Sequence, residues 1–355
     1  MIVISGSYGE GGGQILRSSL SLSALLGEPV KILNIRRNRP KPGLRPQHLT
    51  SVLAVKELSR GEVTGAEVGS TELAFVPRDV RPGAYDFDVS RITGSAGSVT
   101  LILQTILPVL ALSHGQSRVT LAGGTHVPWS PPFHFIERCF LPAVGRLGIN
   151  ATVSIERWGF YPKGGGRVVA DVTPSAKLVP VDLTSRGRLV GVKLISAAAN
   201  LPEGIAQRQA DAAKGAVAGA GVEPDVEIIN APSPGQGTFV YISAEFENVT
   251  LGFSALGERG KRAETVGLEA ARDFLGFMEM GACVDERLAD QLVLYMALAE
   301  GSSRMSVERV TSHLMTNIWV VGQFLPDVHI KVEGEEGSPG IVEVVSPGLR
   351  VRARG

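Results

Sequence analysis

One order of elements comes round three times in this chain: strand, helix, strand, helix, strand, strand. The first round runs from a short apolar strand at residues 2–4 through a glycine-rich loop into a helix that stops at Gly27 and Pro29. A strand at 30–35, a helix at about 48–58 and strands near 61–68 and 71–77 complete it. The second opens with a strand at 87–89, a small-residue loop at 94–98 and a helix at 99–113. It continues with a strand at 118–122, a helix from about 133 to 147 stopped by Gly148, and strands at 151–156 and 166–172. A third starts near Gly281, with helices at about 286–299 and 313–324 and strands at 305–310, 328–333 and 341–345. Self-similarity at a period of about 80 to 95 residues reads as duplicated supersecondary units that share a core.

The stretch 181–278 interrupts this series with a pattern of its own: strands at 189–196, 226–230, 238–245 and 249–255, and helices at 205–220 and 264–277. The expected fold is therefore α/β (α+β): three repeats of a βαβαββ-type unit with an inserted smaller α/β domain. Residues 1–180 and 279–355 would form the large repeat-built domain and 181–278 the insertion. A length of 355 residues with 44% apolar and 20% charged content suits a globular chain with a sizeable core. No apolar run reaches the roughly 18 residues of a membrane span, and no charged segment leads into an apolar signal region, so no membrane contact is expected. Cys139 and Cys283 are far apart and form no CxxC pair, which fits a reducing cytoplasm.

Net charge is zero, so any recognition of phosphate must come from local clusters. Two stand out. Residues 5–26, SGSYGEGGGQILRSSLSLSALL, place a strand, a loop with Gly9 and Gly11, Gly12 and Gly13, and a helix N-terminus in succession. Such a loop lets backbone N–H groups approach an anion, and the helix dipole favours negative charge there. Glu10 lies within it, with Gln14 and Arg17 just beyond. An acid where phosphate should sit points to a bridging cation; a tight turn with an incidental acid is the plainer alternative. No dinucleotide fingerprint fits, because Gln14 stands where its last glycine would be, and no GxxxxGK[ST] loop occurs.

The second cluster is Lys31, Arg36, Arg37, Arg39, Lys41 and Arg45, with no acid from 31 to 45 and with Pro40, Pro42 and Pro46 stiffening the backbone. Guanidinium groups held in this way can fork onto phosphate oxygens; the alternative is a solvated proline-rich loop. Gln47 and His48 close it with polar side chains of the type that contact sugar and base edges. Lys163 and Arg167, flanking glycines 164–166, make a smaller basic site. Of the six histidines, His114, His126, His134 and His329 have no metal-ligand spacing. His313 opens a helix within Ser312-His313-Leu314-Met315-Thr316-Asn317, after a helix carrying Asp290 and Gln291. A neutral imidazole there is a competent nucleophile toward phosphorus, although capping or core roles are open to it too. Nothing resembles a lysine-adenylate motif, an HxHxH run or a serine nucleophile elbow.

Six segments together resemble the RNA 3′-terminal phosphate cyclases: GSYGEGGGQILRSSLSLS, RPKPGLRPQHLTSV, TGSAGSVTLILQTILP, FYPKGGG, LADQLVLYMALA and SHLMTNI, in family order from residue 5 to beyond 310. The resemblance implies a large catalytic domain of three units like the C-terminal domain of translation initiation factor three, with a smaller domain inserted. It also implies an ATP-dependent ligase that works by nucleotidyl transfer and forms a phosphoric ester bond. His313 would take AMP from ATP, pass it to an RNA 3′-phosphate to give RNA(3′)pp(5′)A, and the adjacent 2′-OH would then close a 2′,3′-cyclic phosphate.

On this resemblance Glu10 would hold a divalent metal, Mg2+ or Mn2+. Gln14, Gln104, Pro131, Phe133, Asp290 and Gln291 would bind ATP, and Arg17, Arg36, Arg39 and Gln47 would grip the RNA phosphates. Two departures stand out. Arg287 occupies a position where bacterial members commonly carry tyrosine, and GGTHVPWSPP differs from the usual GGT followed by Asp or Asn. A non-catalytic cyclase-like RNA-binding protein of ribosome assembly is the alternative, but such proteins lack the nucleophilic histidine that this chain retains. An enolpyruvyl transferase, whose basic residues would hold a compact anionic substrate, is a third reading.

Overall fold

A computed structural model describes residues 1–94, 96–202 and 204–349. It holds four four-stranded sheets of mixed parallel and antiparallel pairing. The first unit consists of β1 (Ile2–Ser5), α1 (Gly13–Leu26), β2 (Val30–Leu33), α2 (Pro46–Leu58), β3 (Glu62–Thr64) and β4 (Leu73–Val76), with sheet order β1-β2-β4-β3. The second contains β5 (Ala84–Asp88), a short α3 (Ser90–Thr93), α4 (Val99–Ala111) and β6 (Ser117–Gly123). A continuous helix follows: α5 (Phe133–Phe135) passes through a π-helical turn, Ile136–Phe140, into α6 (Leu141–Arg146). Strands β7 (Asn150–Arg157) and β8 (Gly166–Thr173) close the second sheet in the order β5-β6-β8-β7.

The third such sheet has an edge strand far from the rest of its unit. β9 (Asp182–Leu183) pairs in parallel with β14 (Glu300–Val307), about a hundred residues later. The intervening chain forms β10 (Leu189–Ala199), α7 (Gly204–Gly219), β11 (Asp225–Asn230), β12 (Gly237–Phe246), β13 (Thr250–Leu256) and α8 (Ala263–Met278). Then come α9 (Glu286–Leu298), β14, α10 (Ser312–Phe324), β15 (His329–Glu333) and β16 (Gly340–Pro347). The resulting order β9-β14-β16-β15 matches the first two sheets strand for strand. In each, the first two strands pair in parallel and the remaining pairs are antiparallel. The sequence reading began the third unit near Gly281; its first strand in fact stands before the 189–278 segment, too short for any periodicity to reveal.

Sheets of this kind have one wet face, and β7 alternates exposed with half-buried residues along its length. Their inner faces are covered by the helices, which meet in the middle of the molecule. α1 packs on α2, α4 and α10, α4 on α2, α9 on α10, and α6 on α9. Helix α4 shows why this centre is stable. Its Ser98 N-cap accepts a hydrogen bond from the Leu101 N–H, and every residue from Val99 to Ala111 is buried except Gln104. Each Leu, Ile or Val so buried contributes about 1.5–3 kcal/mol of transfer free energy. A polar side chain in the one gap of an otherwise buried helix marks where the centre opens.

The fourth sheet, β11-β10-β12-β13, carries α7 and α8 packed against each other. It meets the second unit through an aromatic cluster. His126 stacks on Trp158 with centroids 4.1 Å apart, and Phe239 and Tyr241 of β12 approach His134 at 5.5 and 5.7 Å. Burial drives the pKa of both histidines down, that of His134 to about 3, so this contact is uncharged. Among the described residues, no helix is long and apolar enough to cross a membrane.

Candidate active site

The loop between β1 and α1 lies against the N-terminal half of α10, so residues more than 300 positions apart share one surface. Tyr8 stacks on Trp319 at 3.9 Å with the planes 12° apart. Gly9 takes a left-handed φ of 51°, and a Cβ there would stand 2.5 Å from Thr316 Oγ1. The next glycines are packed from the other side by the basic loop. Asn38 donates to the Ser7 carbonyl at 3.2 Å. A Cβ on Gly13 would lie 2.3 Å from Nε2 of the buried His48, whose Nδ1 accepts the Arg45 N–H at 3.1 Å. Arg39 and the uncharged His48 are thus folded over the start of α1, whose N-cap, Gly12, gives it no side-chain hydrogen bond. Its first N–H groups are left for solvent or an anion.

Glu10 joins the two walls. Its carboxylate forms an ion pair with the Arg39 guanidinium and lies 2.5 Å from His313 Nδ1. The Glu10 side chain is 17% exposed and that of His313 is 49% exposed. Burial lowers the His313 pKa, opposed by Asp290 and assisted by the positive charges of Arg17 and Arg39. The Glu10 carboxylate pulls the other way, and a neutral ring whose Nδ1 donates to it would keep the Nε2 lone pair, the state a nucleophile needs. Glu10 also stands to stabilise the positive charge that the ring acquires when Nε2 forms a bond.

Beside this pair is a small cavity of about 30 Å³, lined by Gln14, Arg17, Gln104, Asp290, Gln291 and Asn317 among others. Arg17 donates to the Gln14 side chain, and Gln104, the one incompletely buried residue of α4, donates to Gln291. Asn317 Oδ1 accepts from Ser18 at 2.8 Å and its Nδ2 donates to the Asp290 carbonyl at 2.6 Å, tying α1, α9 and α10 together. Burial raises the Asp290 carboxyl to about 7 despite the attraction of His313 and Arg17, and its Oδ1 has no hydrogen-bond partner. Burial likewise lowers Arg17 to about 10, which leaves it charged at neutral pH. An orphaned carboxylate oxygen beside a buried guanidinium and a free imidazole nitrogen is a site with unfilled polar capacity.

The structure therefore brings Glu10, Gln14, Arg17, Arg39, Gln104, Asp290, Gln291 and His313 to one junction of the three units. The other four residues singled out in the sequence stand apart from it. Arg36, with φ 53°, turns its guanidinium onto the carbonyls of Lys41 and Gly43 at 2.7 and 3.0 Å, so it holds the basic loop together. Gln47 accepts the Ser98 N–H at 3.2 Å, at the head of α4. The Pro131 carbonyl accepts from Thr100 Oγ1 at 2.7 Å, and Phe133 is 2% exposed, with its ring in the core. Arg167 of the smaller basic site is engaged with Glu156 and Asp86. Asn317 and Thr316 were missed as site residues, although Asn317 follows His313 by four positions, one helical turn along the same face.

Among the described residues, no group of three or more His, Cys, Asp or Glu could hold a metal ion. Both Glu10 oxygens have protein partners. One carboxylate makes no closed protein cage, so a cation held here would need to draw its remaining donors from phosphate oxygens and water.

A sequence profile described as RNA 3′-terminal phosphate cyclase matches residues 8–332. The chain is similar to proteins named RNA 3′-terminal phosphate cyclase from Pyrococcus abyssi, at 46% identity over 97% of this chain and 99% of that one, and from Thermococcus onnurineus, at 47% identity with the same coverage. The Pyrobaculum neutrophilum protein of that name is 44% identical over 97% of this chain and 98% of its own. Among solved structures, the enolpyruvyl transferase NikO from Streptomyces tendae aligns at TM-score 0.38 and 10% identity, over 99% of this chain and 50% of that one, which is too loose to carry an argument.

Proposed function

This chain belongs to the RNA 3′-terminal phosphate cyclase family, and we propose that it converts an RNA 3′-terminal phosphate into a 2′,3′-cyclic phosphate at the expense of ATP, through AMP carried on His313. The observation that carries the reading is the half-exposed His313, which meets Glu10 of the glycine loop through Nδ1 and whose pKa is held down by burial. In the first step His313 Nε2 attacks the α-phosphorus of ATP and the bond to the β-phosphate oxygen breaks, releasing pyrophosphate. The free N–H groups of α1 offset the charge that develops on the ATP phosphates, and Arg17 and Arg39 hold the RNA phosphate for the step that follows. A phosphate oxygen of the RNA end then displaces the imidazole, giving RNA(3′)pp(5′)A. The vicinal 2′-OH attacks the 3′-phosphorus, loses its proton to solvent or base, and expels AMP. Converting a poor leaving oxygen into AMP and using a neighbouring hydroxyl at high effective concentration are what make the last step fast.

Gln14, Gln104, Asp290 and Gln291 would line the nucleotide side, with Asp290 close enough to His313 to alter its charge. Pro131 and Phe133 would bound the adenine pocket from the second unit. Arg36 and Gln47 would act on the RNA phosphates. A divalent cation, Mg2+ or Mn2+, would be held by Glu10 and the triphosphate, and would supply further charge neutralisation. The matching order of three sheets supports three repeats of one unit in a catalytic domain, 1–180 and 279–355, with the 181–278 segment inserted save for β9, which it gives to the third sheet. Two free buried cysteines suit a cytoplasmic setting.

The direct test is to incubate the protein with ATP, a divalent metal and a 3′-phosphorylated oligonucleotide. Cyclic-phosphate ends, AMP and pyrophosphate in equal amounts are expected. RNA binding without any of these products would instead favour the non-catalytic relatives.

A further inference from the structure

The second unit and the β10–β13 sheet with its helices enclose a much larger cleft, about 1160 Å³, away from the His313 cavity. One wall carries Arg208, Arg259, Lys261 and Arg262 from α7 and the turn leading into α8; the other carries Pro128, Phe160 and Tyr161. Glu264 is shared by Arg208 at 3.3 Å and Arg262 at 3.6 Å, so it cancels only half of their charge. Lys261 pairs with Glu269. Arg259 is exposed and has no ion pair among the described residues. Glu258 is the other acid of the lining, so the wall is net positive in a chain of zero net charge.

One aromatic residue of the lining is exposed, and another adjoins the lining in sequence. Tyr161 is 67% exposed. Trp129, next to Pro128, is 99% exposed with φ 65°, a left-handed conformation that bulky residues rarely adopt. Nothing in the fold is gained by holding an indole bare in that conformation, which is the pattern of a stacking platform awaiting a planar partner. The same loop leads back to the catalytic junction. Gly124 bridges to Ser98, Thr100 bonds to the Pro131 carbonyl, and Gln104 lies one turn further along α4.

We propose that this cleft holds the single-stranded RNA upstream of the reacting 3′ end, its phosphates against Arg259, Arg262, Arg208 and Lys261 and its bases against Tyr161 and Trp129. Cationic walls with interleaved aromatic faces are how proteins follow an unpaired strand without reading its sequence. A role for the 181–278 segment follows: it is the second jaw of the RNA groove. The inference rests on the cyclase reading only for where the strand ends, and binding can be measured without catalysis.

The test uses fluorescence anisotropy with an unphosphorylated 12-nucleotide single strand and a 3′-phosphorylated dinucleotide, together with self-labelling by α-labelled ATP. The double variant R259E/R262E is expected to weaken binding of the longer strand by about tenfold or more and to flatten its salt dependence. Trp129→Ala is expected to weaken it by about tenfold. Dinucleotide turnover and self-labelling should remain within about twofold of wild type. Unchanged binding of the long strand overturns the proposal, and so does equal damage to the long and short substrates. Failure of the wild type to label itself would strike at the cyclase reading alone, because the anisotropy arm does not depend on it.

Discussion

The three units begin their first long helix in three different ways. α4 is capped by the Ser98 hydroxyl, and α9 by Asp285, whose carboxylate accepts from the N–H groups of Arg287 and Leu288. α1 starts at Gly12 with no side-chain cap. The same strand order surrounds all three helices, so the fold does not demand the difference. Where a side chain satisfies the helix end, the unit is serving stability. In the first unit the end is left bare, a carboxylate is placed just before it, and arginines are folded over it. Two copies close the helix end and one leaves it open, while α4, α9 and α10 contribute Gln104, Asp290, Gln291 and His313 across the junction.

The comparison can be broken most severely at His313. His313→Ala is expected to lower cyclisation by about a thousandfold or more while leaving the melting temperature near wild type, as read from product formation and a thermal scan. Adding what the other helices have, with Gly12→Asp, should lower ATP turnover by about a hundredfold, because a carboxylate then occupies the place of a phosphate beside Glu10. The thermal transition should stay within a few degrees of wild type. Arg39→Ala is expected to weaken transfer of AMP to RNA by about tenfold while self-labelling persists. Equal loss of both steps would place that arginine at ATP.

A pH series sharpens the contrast further. Asp290 is raised from 3.8 to about 7, so as pH rises the unfolded chain gives up this proton first. Stability should therefore fall between about pH 4 and 7, and Asp290→Asn should remove that part of the slope in denaturant titrations. The smallest effect is expected where the cap is structural: Asp285→Ala should cost about 1 kcal/mol in stability, with activity per folded molecule retained.

Much of this was readable in the sequence, for reasons that differ from place to place. Helices α1, α4 and α9 announce themselves by apolar spacing and terminal glycine or cap residues. The residues at the junction lie in compact motifs, but their roles were implied by the family resemblance, since spacing alone left a capping or core role open to His313. β9 was not legible as part of the third unit, because two residues carry no period and their partner strand lies beyond a 189–278 excursion. Arg36 looked free in a basic run, yet its left-handed backbone turns it onto its own loop. Phe133 is buried, which spacing along the chain did not reveal. Glu10 touches Arg39 and His313 directly, a contact that spacing along the chain could not reveal.

The central claim is that a covalent bond forms at His313 Nε2. Wild-type protein should be incubated with α-labelled ATP and a divalent cation, quenched, digested and mapped. Label that is acid-labile and alkali-stable, confined to the peptide bearing His313 and absent from His313→Ala, is the expected result. A wild-type protein that takes up no label, or one whose label survives the loss of His313, would contradict the account.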